Sequence, residues 1–430
     1  MRLNKKTSLA AALVSLQVAA LLTLFVPTAS ASFPPSEWVI GPRKKVAFLT
    51  FEGAVGPKRM TNLLRALETK RARATFFLPG SWVDHHKAVA RLLQKSGQVL
   101  GNRGYGKASF TSLSSEAIQQ SISQAQTALQ NVGADPAPFL RAPRGERDLR
   151  VLQVAASMGY RSVRWTAHPG AGRPGGVARR AVRKAQLGSI ISLDLARNSN
   201  RQAVPKIIDG LRRRGFRLRG VGALQSAHAI DWTVTLKSGA SGPEVAYLQD
   251  QLKATSYPAG PSDGNFGYAT EEAVFAFEKV YGLTRDGVVT PAQMTQIALE
   301  QRPTVRDRGY KKMINIDISR QVLFEVSNGR VKHTMPISSG SEEYYEQDGE
   351  THKAHTPRGD WSVTRKIQGE HESDLGVLYD PVYFVGGYAM HGSPSVPTYP
   401  ASHGCVRMPM YVSRAFYNRH EVGEFVWVHD

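Results

Sequence analysis

The chain has a single cysteine, Cys405, placed two residues after His403 and fourteen after His391. A thiol with imidazoles at hand is the equipment of nucleophilic acyl transfer: the thiolate attacks a carbonyl and an imidazole takes its proton. An extended 402–407 segment would turn His403 to the face of Cys405, while His391 arrives from a separate segment; the spacing leaves both as candidate bases. Gly404 frees the backbone to aim its N–H, with that of Cys405, at the oxyanion of a tetrahedral intermediate. Arg407 suits a substrate carboxylate or, equally, a structural ion pair. Ser402 adjoins this group, and Tyr388 and Tyr399 line a cleft or merely pack. An inert buried cysteine is common, but the flanking histidines and glycine argue against one here.

Something must deliver that thiol. The 430 residues exceed one ordinary domain, and 41% hydrophobic with 21% charged residues is the composition of folded protein. Formal net charge is +20, which favours polyanions. Arg2, Lys5 and Lys6, an apolar run over Leu9–Val26, and Ala29-Ser30-Ala31 form a secretory signal peptide over residues 1–31, cleaved before Ser32. An uncleaved anchor is the rival, and no other stretch is apolar enough to span a bilayer. Export makes nucleic acid an unsuitable partner and leaves envelope polymers, including anionic ones. The expected location is extracytoplasmic: secreted, wall-associated or periplasmic.

After a polar lead-in over 32–45, strand and helix patterns alternate. Strands fit Val46–Phe51, Ala74–Leu78, Arg161–Trp165 and Ser189–Leu193; helices fit Arg59–Lys70, Lys87–Lys95, Ser114–Asn131 and Lys206–Arg214. Repeated strand–helix units imply a parallel sheet or barrel. Gln225–Thr233 reads as a linker. Residues 234–300 form a small helical module with turns at Asp263-Gly264 and Asp286-Gly287, Thr270 as an N-cap, and Pro291 opening a third helix. A second linker covers Arg302–Arg308. From Lys312 the apolar period changes to two, with a hairpin turn at Ser327–Arg330 and a single helix near Met410–Asn418: an all-β domain.

Three resemblances follow from particular motifs. Residues 46–224 resemble the polysaccharide deacetylase (NodB-like) domain, a distorted (β/α) barrel that removes N-acetyl groups from glycans. Thr50-Phe51-Glu52-Gly53, Gly101–Lys107, Arg141-Ala-Pro-Arg-Gly145 and Gly188–Asp194 stand at its motif positions. The resemblance puts metal ligands at 53, 103 and 107, which here are Gly53, Arg103 and Lys107; the usual base is Glu52 and the late histidine is Asp194. Metal hydrolysis needs about three protein ligands, so the scaffold is expected without its reaction. The old cleft would present Arg103, Lys107 and Arg144 to an anionic ligand. Residues 234–300 resemble a three-helix peptidoglycan-binding domain through Leu236–Gly242, Asp263–Thr270 and Gly282–Gly287.

Residues 312–430 resemble the L,D-transpeptidase (YkuD-type) catalytic domain, whose paired signature stands as His391-Gly392 and Ser402-His403-Gly404-Cys405-Val406-Arg407, with Thr356-Pro-Arg-Gly359 upstream. The resemblance makes Cys405 the nucleophile and His391 the base, leaving His403 and Ser402 as support. It implies attack on a stem tetrapeptide, release of D-alanine and transfer to an amine of a neighbouring stem, a 3→3 cross-link needing neither metal nor cofactor. Water as acceptor would make an L,D-carboxypeptidase, a protein amine an anchoring enzyme; a non-catalytic wall-binding protein is the remaining alternative. The expected chain is therefore multidomain: signal peptide (1–31), degenerate deacetylase-like barrel (46–224), three-helix module (234–300) and all-β transpeptidase domain (312–430), with peptidoglycan stem peptides and glycan as partners.

Overall fold

A computed structural model describes residues 34–42, 44–299, 302–306 and 308–430; the expected signal peptide lies outside them. The first domain is a curled half-barrel with helices on its outer face. Its strands run in the order Ser189–Asp194, Val46–Glu52, Thr75–Leu78, Val99–Asn102, Phe139–Leu140, Arg161–Val163, Ser36–Trp38 and Ile230–Asp231. All these neighbours are parallel except the last pair. Burial on both faces accounts for the largely apolar Val46–Phe51, where even Thr50 is buried.

Two expectations fail at the edge of this sheet. The lead-in contains a strand, Ser36–Trp38, and the first linker contains its antiparallel partner, Ile230–Asp231. Both are too short to show a period. They also carry Glu37, fully buried, which is tolerable only because Arg147 meets it with two 2.8 Å hydrogen bonds. That partner is 110 positions away, beyond any local pattern. The helix expected from Lys206 starts earlier, at Asn198, and runs through Pro205 to Arg213. Its apolar stripe, Ala203, Val204, Ile207, Ile208 and Leu211, is wholly buried, and that burial overrides the proline.

The middle module has helices Pro243–Ala254, Tyr268–Tyr281 and Pro291–Leu299 around Val245, Leu248, Leu252, Ala273, Val274 and Phe277. Thr290 and Gln293 form a reciprocal cap on the third helix. Thr270 is not an N-cap; it is buried inside the second helix, where its hydroxyl accepts from Gln249 Nε2 at 3.0 Å. The core is shared across the domain boundary, since Leu152 and Trp232 pack into it.

The last domain joins two sheets. One runs in the order Arg330–Pro336, Val322–Ser327, Lys312–Asp317, Phe425–His429, Gly359–Ser362. The other contains Arg365–Lys366, Gly376–Val385, Tyr388–Ser393 and Val406–Pro409, with Glu370–Ser373 paired to the long strand. Ile314, Ile316, Leu323, Val382, Met390, Val406 and Val426 fill the space between them, closed by the helix Met410–Arg419. The second linker acts as a strap: Tyr310 just beyond it stacks on Phe425 with centroids 3.7 Å apart, and Arg308 lies over Trp427.

Candidate active site

Strands Tyr388–Ser393 and Val406–Pro409 run parallel, pairing Met390 with Val406 and His391 with Arg407. Met390, Val406 and Met408 point into the core. Alternation then sends His391 and Arg407 to the opposite face. Cys405 immediately precedes the second strand, beside Ala389 in this register. Cys405, one residue outside the strand, thus lies diagonally across from His391 in this register.

The loop carrying the cysteine is held by a closed set of hydrogen bonds. Ser402 is buried; its hydroxyl donates to the Cys405 carbonyl at 2.5 Å and accepts from the Gly404 N–H at 3.0 Å. Thr356 Oγ1 donates to the Gly404 carbonyl at 2.7 Å and accepts from the Gly340 N–H at 2.9 Å. The Ala401 and Ser402 N–H groups both reach Ser339 O, and Ser338 Oγ donates to Tyr399 O at 2.8 Å. Gly404 adopts φ +133°, and a Cβ there would sit 2.5 Å from the Tyr388 ring and 2.8 Å from the His355 carbonyl. Only glycine fits. The expectation that the Gly404 N–H faces an oxyanion is corrected, because Ser402 occupies it. The Cys405 N–H meets no acceptor among the described residues.

His391 is 4% exposed, and its Nδ1 lies 2.8 Å from Gly392 O. Burial pushes its pKa down to about 4; the hydrogen bond to Gly392 opposes this and the charge of Arg407 adds to it. The ring is therefore neutral at physiological pH, with Nδ1 donating to the carbonyl and Nε2 left with a lone pair. Cys405 is half-buried, with Sγ 3.9 Å from Gly387 O. Burial raises its pKa, while a backbone hydrogen bond from Ala389 and the charge of Arg407 pull it down. Among the described residues no acid pairs with the Arg407 guanidinium, so its charge stands open beside the thiol.

The other expected residues divide. His403 is exposed, 4.7 Å from the ring of Tyr345, and does not share the buried setting of His391. Tyr388 is half-buried against Gly404; burial raises its pKa, and a thiolate at Cys405 would raise it further. Tyr399 is not drawn in: its side chain is 63% exposed and only its carbonyl is tied down. Sequence reasoning missed Tyr345, on a hairpin of Tyr344–Gln347 and Glu350–Lys353, and Tyr383, also coupled to the thiol. Neither carries a local motif, and only the tertiary fold brings Tyr345 to His403 and Tyr388, and Tyr383 to Cys405.

The half-barrel has a different centre. Arg103 donates to Glu52 Oε1 through Nε at 3.3 Å and Nη2 at 3.2 Å, and the Arg144 N–H reaches the same oxygen at 2.6 Å. Both side chains are about nine-tenths buried. A guanidinium thus lies on the Glu52 carboxylate, Gly53 offers no ligand and Lys107 is exposed. The residues do not fit a metal ion, and among the described residues no group of three His, Cys, Asp or Glu is gathered for one. Arg103 is spent on Glu52, which removes it from the expected anion-binding cleft. His85 and His86 turn to separate backbone carbonyls and form no ligand pair.

Comparison with known proteins assigns each part. Residues 311–428 match the L,D-transpeptidase catalytic domain. Residues 40–163 match the polysaccharide deacetylase family and 241–297 the putative peptidoglycan binding domain. A crystallised L,D-transpeptidase from Xylanimonas cellulosilytica is 43% identical over 45% of this chain and 97% of its own, with a TM-score of 0.43. A peptidoglycan-N-acetylglucosamine deacetylase from Bacillus cereus is 26% identical over 44% of this chain and 91% of its own. A family 4 carbohydrate esterase pseudoenzyme from Bacillus anthracis aligns at 23% identity over 45% of this chain and 69% of its own, with a TM-score of 0.42. Of other curated relatives the chain spans between 38 and 59% of the length. The transpeptidase-like and peptidoglycan-binding domains support a cell-wall, L,D-transpeptidase-type role with peptidoglycan as partner, acting outside the cytoplasm. Among the described residues no helix is long and apolar enough to cross a membrane.

Proposed function

We propose that the chain is an exported peptidoglycan L,D-transpeptidase that uses Cys405 as its nucleophile. The observation that supports this is the strand register that sets His391 opposite Arg407, with Cys405 one residue before the second strand, together with the buried neutral imidazole of His391. Arg407 holds the carboxylate of a stem tetrapeptide. His391 Nε2 takes the thiol proton as sulfur attacks the carbonyl after the third stem residue. The oxyanion forms beside the Cys405 N–H. Collapse breaks the peptide bond, His391 returns the proton to the departing amine, and D-alanine leaves. The amine of a neighbouring stem then attacks the thioester carbonyl, loses a proton to His391, and expels the thiol, giving a 3→3 cross-link. Tyr388 borders the cleft, and Ser402 holds the loop.

The test is incubation with disaccharide-tetrapeptide followed by mass spectrometry. Dimer and freed D-alanine are expected, with Cys405→Ala inactive. Tripeptide without dimer would convert the reading to an L,D-carboxypeptidase, and transfer only to an added protein amine to an anchoring enzyme. No product from the parent would sink the enzymatic reading in favour of a wall-binding protein. The half-barrel, lacking a metal set, is proposed as a wall-facing scaffold, with its remaining basic surface available to anionic polymers.

A further inference from the structure

Two basic side chains of the peptidoglycan-binding module end on the backbone of the transpeptidase-like domain, directly behind the cysteine loop. Arg285 follows the helix Tyr268–Tyr281. Its Nη1 donates to Thr398 O at 2.6 Å and its Nη2 to Arg320 O at 3.3 Å. Thr398 lies in the connection between Ser393 and Val406, which delivers Ser402, Gly404 and Cys405. Lys279, 1% exposed on that helix, donates to Ile337 O at 2.9 Å. Ile337 opens the segment whose next residues hold the loop: Ser338 Oγ donates to Tyr399 O, Ser339 O receives the Ala401 and Ser402 N–H groups, and Gly340 bridges to Ser402.

These contacts belong to a docked interface. Ser256 O accepts from the Thr334 N–H at 2.8 Å, and the two hydroxyls are 2.9 Å apart and buried. Tyr411 OH donates to Pro258 O at 2.8 Å. A module serving only to tether the enzyme to its polymer needs none of this. Burying a lysine amino group is costly, burial pushing the pKa of Lys279 down to about 7, and a carbonyl partner repays part of that cost only in the docked arrangement. A loop without regular structure keeps one geometry only as far as its backbone groups are held. Seven residues before the cysteine, the hold on this loop comes from another domain.

We propose that the peptidoglycan-binding module is part of the catalytic architecture, with Arg285 and Lys279 as positioning residues that fix the loop carrying Cys405 and the segment it hangs on. This rests on the transpeptidase reading for its kinetic arm, though not for its structural one. Neither residue touches substrate; both act through carbonyls. A displacement of about 1 Å at a reacting group costs on the order of a hundredfold in rate, so loss of the Thr398 tether should act on turnover more than on binding.

The experiment compares the full chain with Arg285→Ala, Arg285→Lys and Lys279→Met. The soluble disaccharide-tetrapeptide is the kinetic substrate, sacculus pull-down measures wall binding, and hydrogen exchange is followed over 394–405. Arg285→Ala is expected to lower kcat about ten- to a hundredfold, with KM within about threefold, sacculus binding unchanged and faster exchange in the loop. Arg285→Lys should recover part of the kcat, since an ammonium still reaches one carbonyl. Lys279→Met should raise exchange over 337–341 as well. Loop exchange and kcat equal to the parent in Arg285→Ala would overturn the proposal, as would a loss confined to KM or to sacculus binding. Should the parent form no product, the transpeptidase reading fails, and the exchange measurement still decides whether the module holds the loop.

Discussion

Replacing His391 with alanine tests the chemistry most directly. The imidazole titrates at about 4 and the thiol lies above its ordinary value of 9.0. Burial disfavours the charged form of both groups, so a thiolate–imidazolium pair would have to form against this order, each pKa unit of which costs about 1.4 kcal/mol. The resting site is therefore a neutral thiol beside a neutral base, and proton transfer belongs to the attack itself. Alkylation of the parent by iodoacetamide, followed by mass spectrometry from pH 4 to 10, should rise through one alkaline inflection with no plateau between pH 5 and 8. His391→Ala should lose about 10²–10⁴-fold in acylation by the tetrapeptide at pH 7, the usual worth of a general base. It should keep alkylation near the parental rate at pH 10, where hydroxide does the same work. A parental alkylation profile with an inflection near pH 4 and a level rate through neutrality would refute the reasoning, since it would require a preformed ion pair.

Gly404→Ala should abolish both transfer and alkylation while leaving sacculus binding intact, because the new Cβ meets the His355 carbonyl at 2.8 Å and φ is +133°; near-parental alkylation would contradict the packing. Arg147→Met strands the buried carboxylate of Glu37 and should cost about 3–5 kcal/mol in urea denaturation of the half-barrel; a loss under about 1 kcal/mol would show the pair to be dispensable. Glu325 is held at about 2 by His333, His420 and Arg419 despite burial, and His420 is raised by Glu325 and Glu424. The carboxylate's stabilisation is complete above its ordinary 4.5 and fades as pH falls towards 2; that of His420 is complete below its ordinary 6.5 and fades as pH rises through its raised value. Glu325→Gln should therefore lower the unfolding free energy most between about pH 4.5 and 6.5, on the order of 3 kcal/mol, and less at pH 9, as differential scanning calorimetry would read.

Much of this molecule was legible from local pattern. The helix Lys87–Lys95 has the bounds its periodicity implies, and the alternation from Lys312 marks the strand Lys312–Asp317. The Ser402–Arg407 signature pointed to the loop that the sheet register then brings beside His391. Unread were features created by distance. Ser36–Trp38 is a strand only because Ile230–Asp231 and Arg161–Val163 flank it. Gly404 looked like a free amide donor because its acceptor, the Ser402 hydroxyl, depends on a loop turn that spacing does not disclose. Arg103 suggested an open cation until Glu52, 51 positions earlier, was found beneath it. Arg285 and Lys279 sit in a module whose motif speaks only of wall binding, and nothing local marks a carbonyl of another domain as their target.

The antiparallel pair of Ser36–Trp38 and Ile230–Asp231 also sets how the chain carries mechanical load. Ser36 pairs with Asp231 and Glu37 with Ile230, so the polypeptide enters and leaves the half-barrel at the same end of this pair. A pull along the backbone would peel these bonds in succession, as in a zipper, instead of shearing them together. A pull applied between the residues just outside the pair, Pro35 and Trp232, would therefore open this seam bond by bond, and the parallel strands behind it would be spared while Trp232 stayed buried.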